Sequence, residues 1–506
     1  KDGLASIVLA KGDLDYFTSL GVDSYIIEEE GSKSVVSAAT VADAMNWDRY
    51  PTYQQYDSIM HKFANDYPLI CRLDTIGESY QGRQILVLKI SDNVSDDEPE
   101  PEVFYTSTMH GDELAGYVLM LRMAEHLLTN YSSGSLEGSL IDSLEIWINP
   151  LANPDGTYRD FDLTGSRDTI LDPTRNNYNG TDLNRSFPGP IGNEAPDSET
   201  YSFIDFQQER KFVLSMNFHS GYEVVNYPWD TWLSKFHADD LWFESISRDY
   251  ADTVHYQTAG GYLTAQDNGI VRGSVWYVIS GGRQDYITWA QQGREVTVEI
   301  DYTKQTPGAQ LPLLWEYNYR SLLRYIENAI FGIHGVVQDM DSGSPVPAKM
   351  FIVGYDKDSS HIYSDTLSGS FFRLLSPGTY DLLFTASGYN SKLIEGVVVG
   401  EREQTWLNVI MKSSGQSVEE IDQERVKIWP VPAEREIIIQ MPEGFLGKSQ
   451  ISIFSNSGTL LLTTERDIYS NEPLEIDVSQ LPGGFYICRV ISINSSRSIT
   501  GRFIKR

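Results

Sequence analysis

A histidine and a glutamate stand three residues apart in Met109-His110-Gly111-Asp112-Glu113. An apolar run, Val103 to Thr106, leads in, and an amphipathic run, Leu114 to Leu128, leads out, which predicts strand, tight turn and helix. At such a turn the two side chains can converge on one point, as two ligands of a zinc ion must. The same spacing also fits an ordinary helix start, with the Glu113 charge favourable near the positive helix end. What separates the two readings is whether other parts of the chain deliver further ligands to the same place.

Ligands of an α/β sheet lie beyond the carboxyl ends of its strands, so the residues just past each apolar run are the ones that matter. Val103–Thr106 delivers His110 and Glu113. Leu144–Ile148 delivers Asn149-Pro150 and then the turn-rich corner Asn153-Pro154-Asp155-Gly156. Phe212–Phe218 delivers His219-Ser220-Gly221, and Val296–Ile300 carries Glu299 between β-branched neighbours. A catalytic zinc takes three protein ligands and keeps one position for water, and His110, Glu113 and His219 supply those three. A ligating imidazole also needs a carboxylate behind it to orient the far ring nitrogen. Asp182, in Gly180-Thr181-Asp182-Leu183-Asn184-Arg185, is the candidate; an ordinary loop aspartate is the competing reading.

These residues need a scaffold. Between Trp47 and Phe331 continuous apolar strands (Ile85–Ile90, Val103–Thr106, Leu144–Ile148, Phe212–Phe218, Val296–Ile300) alternate with helical stretches at Tyr53–Asn65, Leu114–Asn130 and Leu313–Ile330. Strands apolar on both faces predict a sheet covered by helices on both sides, and the long loops between several of them predict a mixed sheet. The fold class is therefore α/β, a mixed central sheet flanked by helices, followed by two small all-β sandwiches. The first sandwich is predicted over 332–412, where Lys349–Val353, Tyr380–Thr385, Ile394–Val399 and Thr405–Met411 lie between Gly and Pro turns. A Ser, Gly and Glu-rich linker spans 413–425, and the second sandwich 426–506. Residues 1–47, with Leu14 to Tyr25 as a short helix running into a strand, are too few to fold alone and are read as a lead-in or a pro-segment remnant that packs on the domain at 48–331.

The 506 residues carry 71 acids against 39 bases, a formal net charge of −32. That excess repels nucleic-acid backbones and would attract cationic peptides. Cys71 and Cys488, the two cysteines, stand far apart in sequence and support neither a disulfide framework nor a cysteine metal site. No apolar run is long enough to span a bilayer, and no stretch reads as a signal peptide, so a leader is expected to have been removed or left out.

The motif order is His-x-x-Glu, Asn-Pro-Asp-Gly, Arg175-Asn176-Asn177-Tyr178-Asn179 with Asp182-Leu183-Asn184-Arg185, His219, Trp276-Tyr277 with Gly281-Gly282-Arg283-Gln284-Asp285, then Glu299. This order resembles the zinc metallocarboxypeptidases, closest to the regulatory branch that includes the lysine/arginine carboxypeptidases, over Pro51 to Ile330. The resemblance implies one Zn2+ held by His110, Glu113 and His219, with Asp182 behind the first histidine. It implies that Arg175 polarises the scissile carbonyl, that Asn184 and Arg185 grip the substrate's C-terminal carboxylate, that Tyr277 closes over it, and that Glu299 is the general base. Asp230, in Tyr227-Pro228-Trp229-Asp230, matches the position where basic-specific members place an acid, and Gln284 a polar residue at the pocket base. Arg283 departs from relatives that carry an apolar residue there; pointed into the pocket, it would repel basic substrates. The implied substrates are peptides or proteins with a free C-terminus.

Gly335-Val336-Val337, Pro345-Val346-Pro347-Ala348, Pro377-Gly378-Thr379-Tyr380 and Ser387-Gly388-Tyr389 resemble the transthyretin-like domain of that branch. Trp429-Pro430-Val431-Pro432-Ala433, Phe454-Ser455-Asn456-Ser457-Gly458 and Leu481-Pro482-Gly483-Gly484-Phe485-Tyr486 resemble the C-terminal sorting domain of the bacterial type IX secretion system. That second resemblance implies export machinery as a partner and a secreted or outer-membrane-surface location. A zinc amidase or cell-wall peptide hydrolase of related fold, and an inactive surface binding protein, are the competing functions. The Asn184, Arg185 and Tyr277 clamp counts against the first, and the complete set of His110, Glu113, His219 and Glu299 against the second.

Overall fold

The structure, a computed structural model, describes residues 35–159, 168–191, 195–258, 260–414, 427–441, 447–455, 460–468, 473–492 and 498–506. The predicted elements at Leu14–Tyr25 lie outside these residues, as does the predicted linker from residue 415 onward. The chain divides into two compact units, 1–413 and 414–506. Among the described residues no helix is long and apolar enough to cross a membrane.

In the first unit eight strands make one sheet: β1 (Cys71–Glu78), β2 (Gln84–Ile90), β3 (Glu102–Ser107), β4 (Glu145–Asn149), β5 (Phe212–His219), β6 (Tyr222–Tyr227), β7 (Ile270–Arg272) and β8 (Arg294–Asp301). Their spatial order is β1-β2-β4-β3-β5-β8-β6-β7. The four central strands, β4, β3, β5 and β8, run parallel, while β2 pairs with β4 and β6 with β8 antiparallel, so the sheet is mixed.

Side chains of successive strand residues point to opposite faces, so a strand buried on both reads as an unbroken apolar run. Leu86, Leu88, Val103, Tyr105, Ile146 and Ile148 join the core on one face. Ile85, Val87, Phe104 and Trp147 join the core on the other. The first face is covered by α1 (Tyr53–Asp66), α2 (Ala115–Asn130), α4 (Asp240–Gln257) and α6 (Leu311–Glu327), the second by α3 (Ser198–Glu209) and α5 (Arg283–Ala290). A capping box starts α1, with Thr52 and Gln55 each satisfying the other's backbone amide.

The run after Glu113 forms the amphipathic helix its sequence predicts, but with a wide apolar face: Ala115 through Leu121 are all buried, and the polar residues Arg122, Glu125, His126, Thr129 and Asn130 of its second half reach solvent.

Residues 332–411 form two small sheets in the same unit. One contains Ile362–Tyr363, Lys349–Ile352, Gly378–Thr385 and Lys392–Val399 in spatial order; the other contains Ser370–Arg373, Gly332–Asp339 and Gln404–Met411. Ile333, Val337, Met350, Phe371, Leu382, Phe384 and Val409 fill the space between them. This part is joined to the large sheet by a buried ion cluster. Asp239, just before α4, accepts from Arg294 Nη2 at 2.7 Å and from Arg373 Nη1 and Nη2 at 2.7 and 2.8 Å. Arg373 also pairs with Asp356 at 2.9 Å. Burial alone would raise the Asp239 carboxyl, but the two guanidiniums hold it well below the usual range. In the second unit, 414–506, sheets of three and four strands enclose Ile437, Ile439, Ile451, Ile453, Cys488 and Val490.

Removing the charge at Asp239 leaves two guanidiniums buried around a neutral side chain. Asp239→Asn is expected to lower the unfolding free energy of the first unit by about 3–5 kcal/mol in urea titration. A loss under about 1 kcal/mol would show that water reaches these charges.

Candidate active site

The turn after β3 is shaped by its neighbours. Thr108 adopts a positive φ of 61°, and a Cβ on Gly111 would meet the Gly156 backbone at 2.3 Å, so only glycine fits. The Asn153-Pro154-Asp155-Gly156 corner braces this turn: Asn153 Nδ2 donates to Met109 O at 3.2 Å and Thr157 Oγ1 to Gly111 O at 2.9 Å. Asp155 is itself locked by a buried pair with Arg83 at 2.5 Å.

That turn and the end of β5 bring His110, Glu113 and His219 together. Glu113 Oε2 lies 2.9 Å from His110 Nδ1 and 2.7 Å from His219 Nδ1, and the two imidazole nitrogens are 3.0 Å apart. All three residues are buried. A zinc ion with ligands at about 2.0–2.1 Å in a tetrahedron spaces them roughly 3.3 Å apart, so the group contracts slightly around the position an ion would take. Burial, reinforced by His110, pushes His219 down to about 4, which leaves its ring neutral and able to ligate. The donor set, two nitrogens and one carboxylate oxygen, fits catalytic zinc.

Asp182 stands behind His110, where Nε2 donates to Oδ1 at 3.1 Å. Its other oxygen accepts from Arg175 Nε at 2.9 Å. Arg175 Nη1 lies 3.1 Å from His110 Nδ1 and 3.5 Å from Glu113 Oε1, while Lys304 Nζ reaches Glu113 Oε1 at 3.4 Å and Asp112 at 3.1 Å. Lys304 carries no signal in the sequence, since a lysine in a loop belongs to no motif. Glu299 is the register partner of His219 across β5 and β8. Its Oε2 is buried without a hydrogen-bond partner, and burial, then the Glu113 charge, pushes its carboxyl up to about 8. A cation among these groups relieves both carboxylates.

Asn184 and Arg185 follow Asp182 in one short turn. Asn184 Nδ2 is 3.5 Å from His219 Nε2, and Arg185 Nη1 donates to Asn184 O at 2.8 Å. Tyr277 is 47% exposed and packs edge-on against Trp276. Asp230 is buried, and its Oδ1 accepts from Asn226 Nδ2 at 3.0 Å and Gln284 Nε2 at 3.1 Å. Gly273 lets the backbone approach it closely, since a Cβ there would fall 1.7 Å from Asp230 Oδ1 and 2.7 Å from Asn226 Oδ1. Asn226, Gly273 and Asp285 give no such signal in the sequence, because only the fold carries β6, β7 and α5 to Asp230. Arg283 does not turn toward Asp230. Its guanidinium pairs with the buried Glu295 at 2.8 Å, contacts Thr106 Oγ1 and covers the Phe104 ring.

The family profile described as "Zinc carboxypeptidase" matches residues 56–321. The chain belongs to the zinc carboxypeptidase family. Mouse carboxypeptidase M is 33% identical over 372 residues, 70% of this chain and 82% of that protein. Mouse carboxypeptidase D is 34% identical over 354 residues, 67% of this chain, and the match spans only 25% of that longer protein. A crystal structure of thrombin activatable fibrinolysis inhibitor superposes with a TM-score of 0.49 and 17% identity, over 57% of this chain and 76% of that one. A second profile, "Secretion system C-terminal sorting domain", matches residues 427–506.

The contact between Asp182 and His110 can be tested through metal affinity. Asp182→Asn is expected to weaken zinc binding about 10–100-fold, measured by competition with a chromogenic chelator. An unchanged affinity would mean that Arg175, not His110, is the partner Asp182 exists to hold.

Proposed function

We propose that the protein is a secreted zinc-dependent carboxypeptidase that removes C-terminal Lys or Arg from peptides and proteins. The observation that carries this reading is the convergence of His110, Glu113, His219 and Glu299, with the buried Asp230 held by Asn226 and Gln284 as the acid for a basic side chain. Zinc, when bound, supplies Lewis-acid polarisation of the scissile carbonyl and a lowered pKa for water. Asn184 and Arg185 bind the free terminal carboxylate, the one group an internal peptide bond lacks, and the guanidinium can do so with two parallel hydrogen bonds. Tyr277 closes over that carboxylate from its exposed position at the mouth. Glu299 takes a proton from the attacking water and returns it to the leaving amine. Arg175 faces negative charge that develops on the carbonyl oxygen only in the transition state, where stabilisation speeds the reaction.

The preference for basic termini rests on Asp230 and Gln284. Burial, then the nearby charge of Asp285, holds the Asp230 carboxyl well above its usual range. A lysine or arginine side chain entering beside it supplies the missing counter-charge. Arg283, drawn into the core by Glu295, leaves that charge unopposed.

Residues 48–331 form the catalytic domain in this reading and 332–412 a transthyretin-like domain that covers one side of it. Residues 426–506 act as a type IX sorting domain that directs the chain to the medium or the outer-membrane surface, a reading supported by the profile match at 427–506.

A peptide ending in Arg and its counterpart ending in Phe separate the claims. Release from the Arg peptide is expected to be strongly preferred and lost on chelation; no chelator-sensitive release from either would end the proposal. Asp230→Ala is expected to lower kcat/KM on the Arg peptide by about 100-fold or more, with a far smaller effect on the Phe peptide.

The pH dependence has a definite sign. Protonated Asp230 offers no charge to a cationic side chain, and its carboxyl is raised, so KM for the Arg peptide should fall as pH rises through the range where Asp230 ionises. KM for the Phe peptide should stay level across that range. Parallel curves for both peptides would place the titrating group elsewhere.

A further inference from the structure

A second group of acids is gathered away from the active site. In the loop between β2 and β3, Asp92, Glu98 and Glu100 bring carboxylate oxygens within 4.8 Å of one another. Glu102 opens β3 and Glu145 opens β4, and the two are direct register partners in the parallel ladder. Like charges placed opposite each other weaken a sheet.

Glu145 is 1% exposed. Its Oε1 accepts from Glu98 N at 2.9 Å and pairs with Lys89 Nζ at 2.9 Å, whereas its Oε2 is buried with no hydrogen-bond partner. Oε2 of Glu98, of Glu100 and of Glu102 is buried and unpartnered in the same way. The nearby cations are already engaged, Lys89 by Glu145 and Asp97, Arg210 by Asp97 at 2.6 Å. Buried carboxylate oxygens without donors are costly, and several in one place imply a missing positive charge.

We propose that this cluster binds a calcium ion through the carboxylates of Asp92, Glu98 and Glu100, with Glu102 and Glu145 supplying further negative charge behind them. An all-oxygen set in an irregular loop suits a hard cation with flexible coordination, unlike the nitrogen-containing zinc set. Calcium–oxygen distances of about 2.3–2.6 Å allow two ligands of one ion to lie up to roughly 5 Å apart, and this cluster falls inside that limit. Glu98, Glu100 and Glu102 also line one side of a cavity of about 280 Å³, so solvent can reach them. Burial, then the charges of Glu98 and Asp92, pushes Glu100 up to about 8, and burial, then Glu145, does the same to Glu102, both of which a divalent cation reverses.

Such an ion braces the starts of β3 and β4. The strand β3 ends in the turn that carries His110 and Glu113, so calcium would steady the scaffold of the zinc site without touching it.

The test uses the zinc-loaded full chain, dialysed against CaCl2 at about 1 mM, in the range of extracellular calcium modules. The expected result is one calcium per chain beside the zinc by elemental analysis, and a melting midpoint raised by roughly 5 °C. MgCl2 at the same concentration should give a clearly smaller shift. The double variant Asp92→Asn, Glu100→Gln should keep its zinc, lose calcium and the shift, and melt no lower than the parent in calcium-free buffer, because two repelling charges are gone. Glu98→Gln alone should weaken calcium binding at least tenfold, a readout that stands even if the double variant does not fold. Absence of calcium from the parent protein, an equal response to magnesium, or undiminished binding in Glu98→Gln would each overturn the proposal.

Discussion

Two imidazole nitrogens 3.0 Å apart, with a carboxylate oxygen against both, are an arrangement that burial makes expensive unless a cation stands among them. The rest of the catalytic unit can be understood as what is needed to hold those three atoms together. Parallel β3, β5 and β8 end on the same side of the sheet, so the turn after β3, the last residue of β5 and Glu299 of β8 meet there. The Asn153–Gly156 corner fixes the turn from below, and Asp182 fixes the first imidazole from behind. None of these supports is long-range; each is a hydrogen bond or a close backbone approach of one or two residues.

Charge placement explains why neighbouring residues of similar type do different things. Arg283 and Gln284 are adjacent, yet one is pulled under the sheet by Glu295 and the other turns to Asp230. They are the first two residues of one helix, on which consecutive side chains point about 100° apart. The same logic applies at Asp239, where a buried acid between Arg294 and Arg373 joins the large sheet to the small ones. Asp239 is held by two fixed cations, whereas Asp230 and Glu299 have no cation paired with them, and those are the places where a substrate could supply the charge.

Much of the large sheet is legible in the residues. The five predicted strands lie within a few positions of their expected bounds, because two-sided burial writes an unbroken apolar run. Three strands carry no such mark. Cys71–Glu78, at one edge of the sheet, and Tyr222–Tyr227, next to the other edge, mix polar and apolar residues, and the edge strand Ile270–Arg272 is too short to show a period. The helix α4 buries Trp242, Phe243, Ile246, Tyr250 and Val254 at helical spacing, a pattern obscured by the acids between them.

Residue type and order alone determined the family and singled out the three candidate metal ligands that the fold brings together, because those depend on which donor atoms the chain possesses and on where strands end. Only the folded chain decided where Arg283 points, that Asn226 and Gly273 close on Asp230, that Lys304 leans on Glu113, and that Glu102 and Glu145 face each other. Each of these is a contact between residues far apart in sequence. Such contacts are set by sheet order and helix packing, which no local spacing encodes.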